Sequence, residues 1–562
     1  MRLAALLFAA TAAFAQTVAW SPAHGSISGT VTDAGTGAPL PGRTVSVKVA
    51  ASSGTGGPIV GGGSVFGAKE FTAETDVLGH YKVSDLAQAN YLVSVKGDDL
   101  MPTGASVILF GGEDLTGVDF AVAISAVISG AVMDHGKYPM IRVPVVLFQR
   151  LYQNGKVVYG QVSMAITDSQ GHYRLDRAVK PGGVYSLYAS QMIRHMTAIS
   201  DAPEDPGMRG PVLAPAYYMK SRFVEGAVTI SPRAGQTIEG VDIEMERVMS
   251  YCAEGVTLAE GKPAPMFFSI GETEMGPRVP GAGSAGLAQF VFAPLTNRTG
   301  ADGKFRLCGL HPGEYRLTAT TADRPPASPP QLFGALPLSI TDRDLVKLQV
   351  NALPDFSLSG EVVWDGEAPA KPVDAKINVA ITPVNQGLRS VVQTIPLPGR
   401  LAGNSVWIDE YAVRVSAPGG YYVKDITYGA IGVQHQTFQM GSAIGGSGLK
   451  VVIARDGGTV TSKVADKDGN PVQSANVWFL PASAKTPAEL ETVLTSAATD
   501  ANGLCTSGTL PPGKYTVFAT IESFDFTAAH IDSLWSARSK GTEVDLGTKG
   551  SAQVSLVPIT VF

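Results

Sequence analysis

Three stretches of the chain carry residue types that could do chemistry. Thr167-Asp168-Ser169-Gln170-Gly171-His172-Tyr173 sets a carboxylate four residues from an imidazole, groups used by metal sites and general bases. His311-Pro312-Gly313-Glu314 has the H-x-x-E spacing of zinc sites, and Asp466-Lys467-Asp468-Gly469-Asn470 alternates oxygen donors as the start of a calcium loop does. Cys252, Cys308 and Cys505 are the only cysteines.

Internal self-similarity decides between site and scaffold. The first stretch recurs as Thr75-Asp76-Val77-Leu78-Gly79-His80-Tyr81, and weaker copies begin at Thr299 and Thr499. Each copy is followed by a second aromatic turn: Gln88-Ala89-Asn90-Tyr91, Pro181-Gly182-Gly183-Val184-Tyr185, Pro312-Gly313-Glu314-Tyr315 and Pro512-Gly513-Lys514-Tyr515. The separations from Thr to Tyr are 16, 18, 16 and 16 residues. Asp or Asn with Gly makes the turn, and the residues after it alternate apolar and polar, as a half-buried strand requires. A strand of the form xxGxV precedes each pair (Ile27 to Val31, Ile128 to Val132, Leu358 to Val362, and Gly458 to Val460), and a closing strand follows, as in Gly117-Val118-Asp119-Phe120 and Gly240-Val241-Asp242-Ile243.

Against this ruler the chemical readings weaken. Asp76, Asp168 and Asp500 share a position that is Gly300 in the third copy, where the acid moves to Asp302. A turn tolerates that exchange, because an acid at either place can bond the local backbone. His80 and His172 stand where Lys304 and Leu504 stand elsewhere, and are read as exposed residues at strand starts. His311 and Glu314 align with Pro511 and Lys514, both variable positions of the Pro-Gly turn. A calcium loop beginning at Asp466 needs Glu at position twelve, where the chain has Val477. No catalytic, cofactor-binding or metal-binding residue is assigned.

Cys252 is read as lying just before its unit's first strand and Cys308 near the end of the strand after the turn, both facing away from Ala253 and Leu307 and so on the same face of neighbouring strands. They form a possible disulfide, with two free thiols as the alternative. Cys505 replaces the aromatic residue of its motif and reads as a buried apolar thiol. Tyr217, Tyr218, Tyr421, Tyr422, Trp407, Trp478 and Trp535 are the residues a carbohydrate or peptide surface would use, although most such rings pack in cores. Asn297-Arg298-Thr299 is a formal glycosylation sequon, read as part of the turn.

With 562 residues, 64 Gly, 37 Pro and only 16% charged residues, the chain calls for several domains of short strands joined by turns. Its formal net charge of −6, without any cluster of basic residues, gives no footprint for nucleic acid. Met1-Arg2, an apolar run and Ala13-Phe14-Ala15 read as an export signal. No later apolar run is long enough for a transmembrane helix in the mature chain, and the terminal Ile559-Thr560-Val561-Phe562 is read as completing the last sandwich.

The ordered set SISGTVTDAGTGAPLPGRTVSV, TDVLGHYKV and PGEYRLTA resembles the carboxypeptidase regulatory-like domain. That family is a transthyretin-like Greek-key sandwich related to collagen-adhesin B-type repeats. The resemblance implies an all-β tandem array of about five Ig-like sandwiches in an exported bacterial protein, without the catalytic domain that accompanies the module in metallocarboxypeptidases. The expected division is residues 1–15 signal peptide, then sandwiches at 16–123, 124–247, 248–352, 353–455 and 456–562, the fourth being least regular. In that fourth unit, Trp407 to Tyr411 is expected to replace the first turn and Pro418 to Val423 to supply the second.

The expected function is a non-enzymatic structural or binding protein of the cell envelope, located in the periplasm, on the outer-membrane surface or outside the cell. Its sandwiches would be joined end to end as a semi-rigid rod or a packed array. The partner would be a protein or glycan at the cell surface, and no cofactor is expected. The alternative is a carbohydrate-binding or accessory module partnering a secreted hydrolase.

Overall fold

The computed structural model describes residues 24–49, 70–97, 99–101, 103–177, 179–190, 210–272, 295–321, 332–367, 369, 375–384, 388, 390–441, 448–522 and 524–561. The expected signal peptide lies outside the described residues.

One strand pattern recurs. Gly25–Asp33 pairs antiparallel with His80–Leu86 and parallel with Phe120–Val122. Val127–Asp134 does the same with His172–Leu175 and Ile243–Met245. Tyr251–Ala259 takes Lys304–Leu310 and Leu345–Pro354. Phe356–Trp364 takes Gly399–Val406 and Leu449–Ala454, and Thr459–Val464 takes Leu504–Thr506 and Ser551–Leu556.

Facing each of these sheets is a second one, whose central strand is Thr44–Val49, Pro144–Gln153, Phe267–Glu272, Lys376–Pro383 or Asn476–Pro481 in turn. The fold is therefore all-β, a tandem array of five Ig-like two-sheet sandwiches among the described residues. In the third sandwich Leu332–Ile340 pairs with both Gly313–Thr320 and Leu345–Pro354, so its two sheets run into one.

The glycine of the xxGxV strand marks where the last strand crosses the first. A Cβ on Gly29, Gly130, Gly255 or Gly360 would lie 2.1, 2.1, 2.2 or 2.5 Å from the carbonyl oxygen of Val118, Val241, Leu348 or Leu449. Only a residue without a side chain permits that approach. Alternation does the rest. In Gly513–Thr520, Tyr515, Val517 and Ala519 turn into a core with Val460, Val464, Val477 and Leu546, and full burial of each such valine or leucine contributes roughly 1.5–3 kcal/mol.

The chain divides into two compact units. One is residues 1–126 with 176–181 and 234–236, and holds the first sandwich around Ile27, Val45, Tyr91 and Phe120. The other holds residues 127–175, 182–233 and 237–562.

Two helices interrupt the β pattern of the fifth sandwich: α1 (Pro487–Val493) and α2 (Ala528–Ala537). Thr486 caps α1 by accepting the Glu489 N–H at 3.2 Å, while Lys485 N–H donates to the Glu489 side chain at 2.8 Å. The sequence Thr-Pro-Ala-Glu has the spacing of a capping box, with the glutamate reaching one residue further back than the cap itself. Leu490, Ile531 and Leu534 then cover Trp478, Leu480 and Phe518 on the outer face of the sheet.

The fourth sandwich corrects the expected assignment of its turns. In three other units the second motif's tyrosine donates to a carbonyl four residues back: Tyr91 to Ala87, Tyr315 to His311 and Tyr515 to Pro511, at 2.8, 2.9 and 2.7 Å. Tyr411 stands in the same relation to Trp407, whose N–H it accepts at 3.3 Å. Trp407 to Tyr411 is thus the second motif, not the first. The first is Leu397-Pro398-Gly399. Leu397 N–H bonds the Ala375 carbonyl at 3.0 Å, as Thr499 N–H bonds that of Ala475, and the Leu397–Pro398 peptide is cis. Tyr422–Tyr428, expected to follow the second turn, belongs to the opposite sheet beside Leu449–Ala454.

Candidate functional site

The repeated acids are consumed by their turns. Asp168 Oδ1 accepts the N–H groups of Gln170 and His172 at 2.8 and 2.9 Å. Asp76 accepts those of Leu78 and His80 at 2.9 and 2.8 Å, and Asp500 those of Asn502 and Leu504 at the same two distances. The His172 and His80 N–H groups hold the Asp168 and Asp76 carboxyls below the usual carboxylate range. A carboxylate stabilised in this way is a weaker base. His80 sits 3.6 Å from Asp76 and is exposed, as is His172.

The threonine that heads each copy is buried and clamps the neighbouring loop. Thr167 accepts the Val143 N–H at 2.8 Å and donates to the Met140 carbonyl at 2.6 Å. Thr75 and Thr499 make the equivalent pairs with Arg43 and Leu40, and with Ala475 and Val472. The shared threonine is a hydrogen-bond clamp.

The two metal-like spacings are not assembled. His311 Nε2 lies 3.0 Å from Glu272, while Glu314 accepts from Ser339 at 2.6 Å. Asp466 spends both oxygens on its own turn, taking the N–H groups of Asp468 and Asn470 and the Asn470 side-chain amide. Among the described residues no group of three or more His, Cys, Asp or Glu is placed to hold a metal ion.

The aromatic candidates mostly face inward. Tyr217, Trp407, Tyr422 and Trp478 are buried, Trp478 donates to Thr520 at 3.0 Å, and Trp535 lies under the Arg538 guanidinium. Asn297 falls in the strand Leu295–Arg298, not in the turn. Ile559 bonds the Ala519 carbonyl at 2.9 Å and packs with Val561 against the helices of the fifth sandwich.

Cys252 lies inside the first strand of its sandwich, not before it, and its sulfur is 2.04 Å from that of Cys308. Cys505 is buried, and that burial pushes its thiol pKa up.

The arrangement that sequence reading missed is a joint inside the larger unit. The hairpin of Pro144–Gln153 and Lys156–Ile166 turns at Asn154-Gly155, with φ of 51° and 77°, as an Asn-Gly type I′ turn requires. Its tip meets both the fourth and fifth sandwiches. Asn154 N–H donates to Glu491 at 3.1 Å, Arg414 Nε donates to Asn154 Oδ1 at 3.1 Å, and Arg414 Nη2 closes the triangle onto Glu491 at 2.7 Å. Gly155 lies against the His435 carbonyl, where a Cβ would be 2.6 Å away.

Further up the hairpin Lys156 pairs with Glu410, and Tyr152 donates to Asp532 of α2 at 2.8 Å. Lys156 and Thr437 hold the Glu410 carboxyl low against the opposing effect of its burial. Arg316 reaches both oxygens of the buried Asp409 at 2.8 Å, and Tyr188 donates to Glu272 at 2.8 Å. Sandwiches two to five are therefore packed against one another, the second touching the fifth. The local signals that could have marked its parts, though not their meeting, are the Asn-Gly pair between two long apolar strands and the Thr-x-x-Glu that opens α1.

No family model matches the chain, and no curated protein matches it. The solved structures do. A streptococcal ancillary pilin is 13% identical over 58% of this chain and 99% of its own, with a TM-score of 0.19. GBS52, the minor pilin of Streptococcus agalactiae, is 16% identical over 40% of this chain and 96% of its own, with a TM-score of 0.21. The Bacillus anthracis TIE protein is 12% identical over 75% of this chain and 68% of its own, with a TM-score of 0.16. The chain's own residues carry the functional reading.

Beside the joint, Tyr159, Val184 and Val224 of the second sandwich face Ala529 and Asp532 of α2 and its capping Thr527 across a cleft of about 600 Å³. That volume is in the range of small-molecule sites, which favour domain interfaces. No helix of the described residues is long and apolar enough to cross a membrane.

Proposed function

We propose that the chain is a non-enzymatic, exported structural and binding protein of the cell envelope, built of sandwiches of the carboxypeptidase regulatory-like kind. The observation that carries this reading is the use made of the repeated polar residues. Acids, threonines and glycines that recur at fixed spacing all serve turns and strand crossings. What the chain invests in beyond single sandwiches is the joint, where one hairpin holds two later domains. A packed body of this kind presents its end loops as a fixed surface for a protein or glycan partner.

A second reading is favoured by the cleft: an accessory module that holds a saccharide there, the Tyr159 ring stacking on a sugar face beside the Ser186 and Thr229 hydroxyls. The purified mature chain on glycan and peptide arrays tests both. Binding to a defined sugar that is lost in Tyr159→Ala supports the accessory module. Binding to peptides alone supports the structural reading, and turnover of any arrayed substrate overturns both.

A further inference from the structure

We propose that Asn154-Gly155 is a conformation-gated deamidation site, protected while the joint is closed and converted once it opens. An asparagine followed by glycine is open to attack because glycine has no side chain to shield its backbone nitrogen. In the reaction the Gly155 nitrogen bonds to Asn154 Cγ, and the Cγ–Nδ2 bond breaks. Nδ2 leaves as ammonia, taking up the proton that Gly155 gives up. Water then opens the resulting succinimide at one carbonyl or the other, giving aspartate or isoaspartate. No oxidant or enzyme is needed.

The closed joint opposes the first step at three atoms. Arg414 Nε holds Asn154 Oδ1 at 3.1 Å, Glu491 holds the Asn154 N–H at 3.1 Å, and the His435 carbonyl blocks Gly155 on its far side. Attack requires the Asn154 side chain to leave Arg414 and the peptide to swing, and a turn held at both residues cannot do this. Opening the joint releases all three restraints together.

The two products differ in what they do to the joint. Aspartate keeps the backbone and leaves an oxygen for Arg414. Isoaspartate routes the main chain through Cβ and Cγ, lengthening a two-residue turn that has no room between His435 and Glu491. A hairpin that has opened long enough to convert to isoaspartate cannot reseat. The site would therefore record opening irreversibly.

Asn502-Gly503 is an internal reference, since its turn is held entirely within its own sandwich, by Asp500 and by the Val464 N–H on the Gly503 carbonyl. The experiment incubates the full chain in mildly alkaline buffer, native and urea-unfolded, and follows amide-to-acid conversion at both sites by peptide mapping. Native Asn154 is expected to convert roughly tenfold or more slowly than in the unfolded chain, because conversion follows the fraction of time the joint is open. Tyr152→Phe combined with Asp532→Asn, which frees the hairpin from α2 without touching the tip, is expected to raise the Asn154 rate several-fold and leave Asn502 unchanged. Hydrogen exchange at α1 and α2 is expected to stay fast in isoaspartate-containing chains and normal in Asn154→Asp. Equal native and unfolded rates at Asn154, no response to the double variant, or normal protection in isoaspartate chains would each overturn the proposal.

Discussion

Tyr152 and Asp532, 380 residues apart in sequence, meet at 2.8 Å, phenol to carboxylate, with Arg150 on the second carboxylate oxygen at 3.2 Å. The tyrosine ring is buried among Trp478, Leu490 and Leu534, so its hydroxyl sits at the edge of an apolar cluster with the charge of Asp532 as its partner. A hydrogen bond to a charged group contributes roughly 1.5–3 kcal/mol, less where the charge is partly solvated as here. Tyr152→Phe and Asp532→Ala should each lower the stability of the larger unit by about 1–2 kcal/mol in urea unfolding, with a coupling near 1 kcal/mol in the double mutant. Additive effects would show that the pair does not fasten the hairpin to α2.

The buried threonine clamp predicts a larger cost. In Thr499→Val the Ala475 N–H loses its acceptor and the Val472 carbonyl its donor, inside a packed core. Leaving a buried donor unpaired costs about 1–3 kcal/mol, and the second lost bond about 1 more. Thr499→Ser keeps both bonds and should recover most of the loss. The fluorescence of Trp478, buried in the same sandwich, reports the transition.

The sandwiches were legible because the same physics recurs from unit to unit, each device in four of the five. Gly130 stands where Val241 crosses, Thr167 clamps a loop and Asp168 caps its own turn, and their counterparts elsewhere exposed the spacing. The fourth unit was misread because Leu397 performs by burial what threonine performs by hydrogen bonding, so composition gave no match. The joint was not legible for a different reason. Asn154, Arg414 and Glu491 are brought together by the packing of three sandwiches, and no local periodicity relates positions separated by 260 and 77 residues.

His435 gives the joint a dependence on pH. Thr492 donates its hydroxyl hydrogen to the Glu489 carbonyl at 2.8 Å, so at 2.9 Å its oxygen accepts from His435 Nδ1–H, a bond that both the neutral and the protonated ring can make. Burial holds its pKa below the ordinary histidine value against the attraction of Glu489 and Asp425. The unfolded chain therefore takes up a proton first, near pH about 6.5, and stability falls as pH drops through that value until the folded state is protonated too. Urea midpoints measured from about pH 7.5 down to about pH 5.5 should fall in the native chain and flatten in His435→Gln over the window this histidine sets. An unchanged slope would show that His435 carries none of the dependence.

The cysteines make the sharpest chemical prediction. A bond between Cys252 and Cys308, which are 56 residues apart, closes a loop whose entropy in the unfolded chain is worth about 4 kcal/mol. Under the proposed export to an oxidising compartment the pair should be oxidised. Alkylation of urea-unfolded chain without reductant should then label Cys505 alone, and reductant should expose all three thiols. Cys252→Ser with Cys308→Ser should lower the stability of the third sandwich by about 3–4 kcal/mol, while Cys505→Ala should leave the labelling of the other two unchanged. Labelling of Cys252 and Cys308 before reduction would show that the strands meet without a covalent bond, and would remove the argument that this sandwich is adapted to an oxidising compartment.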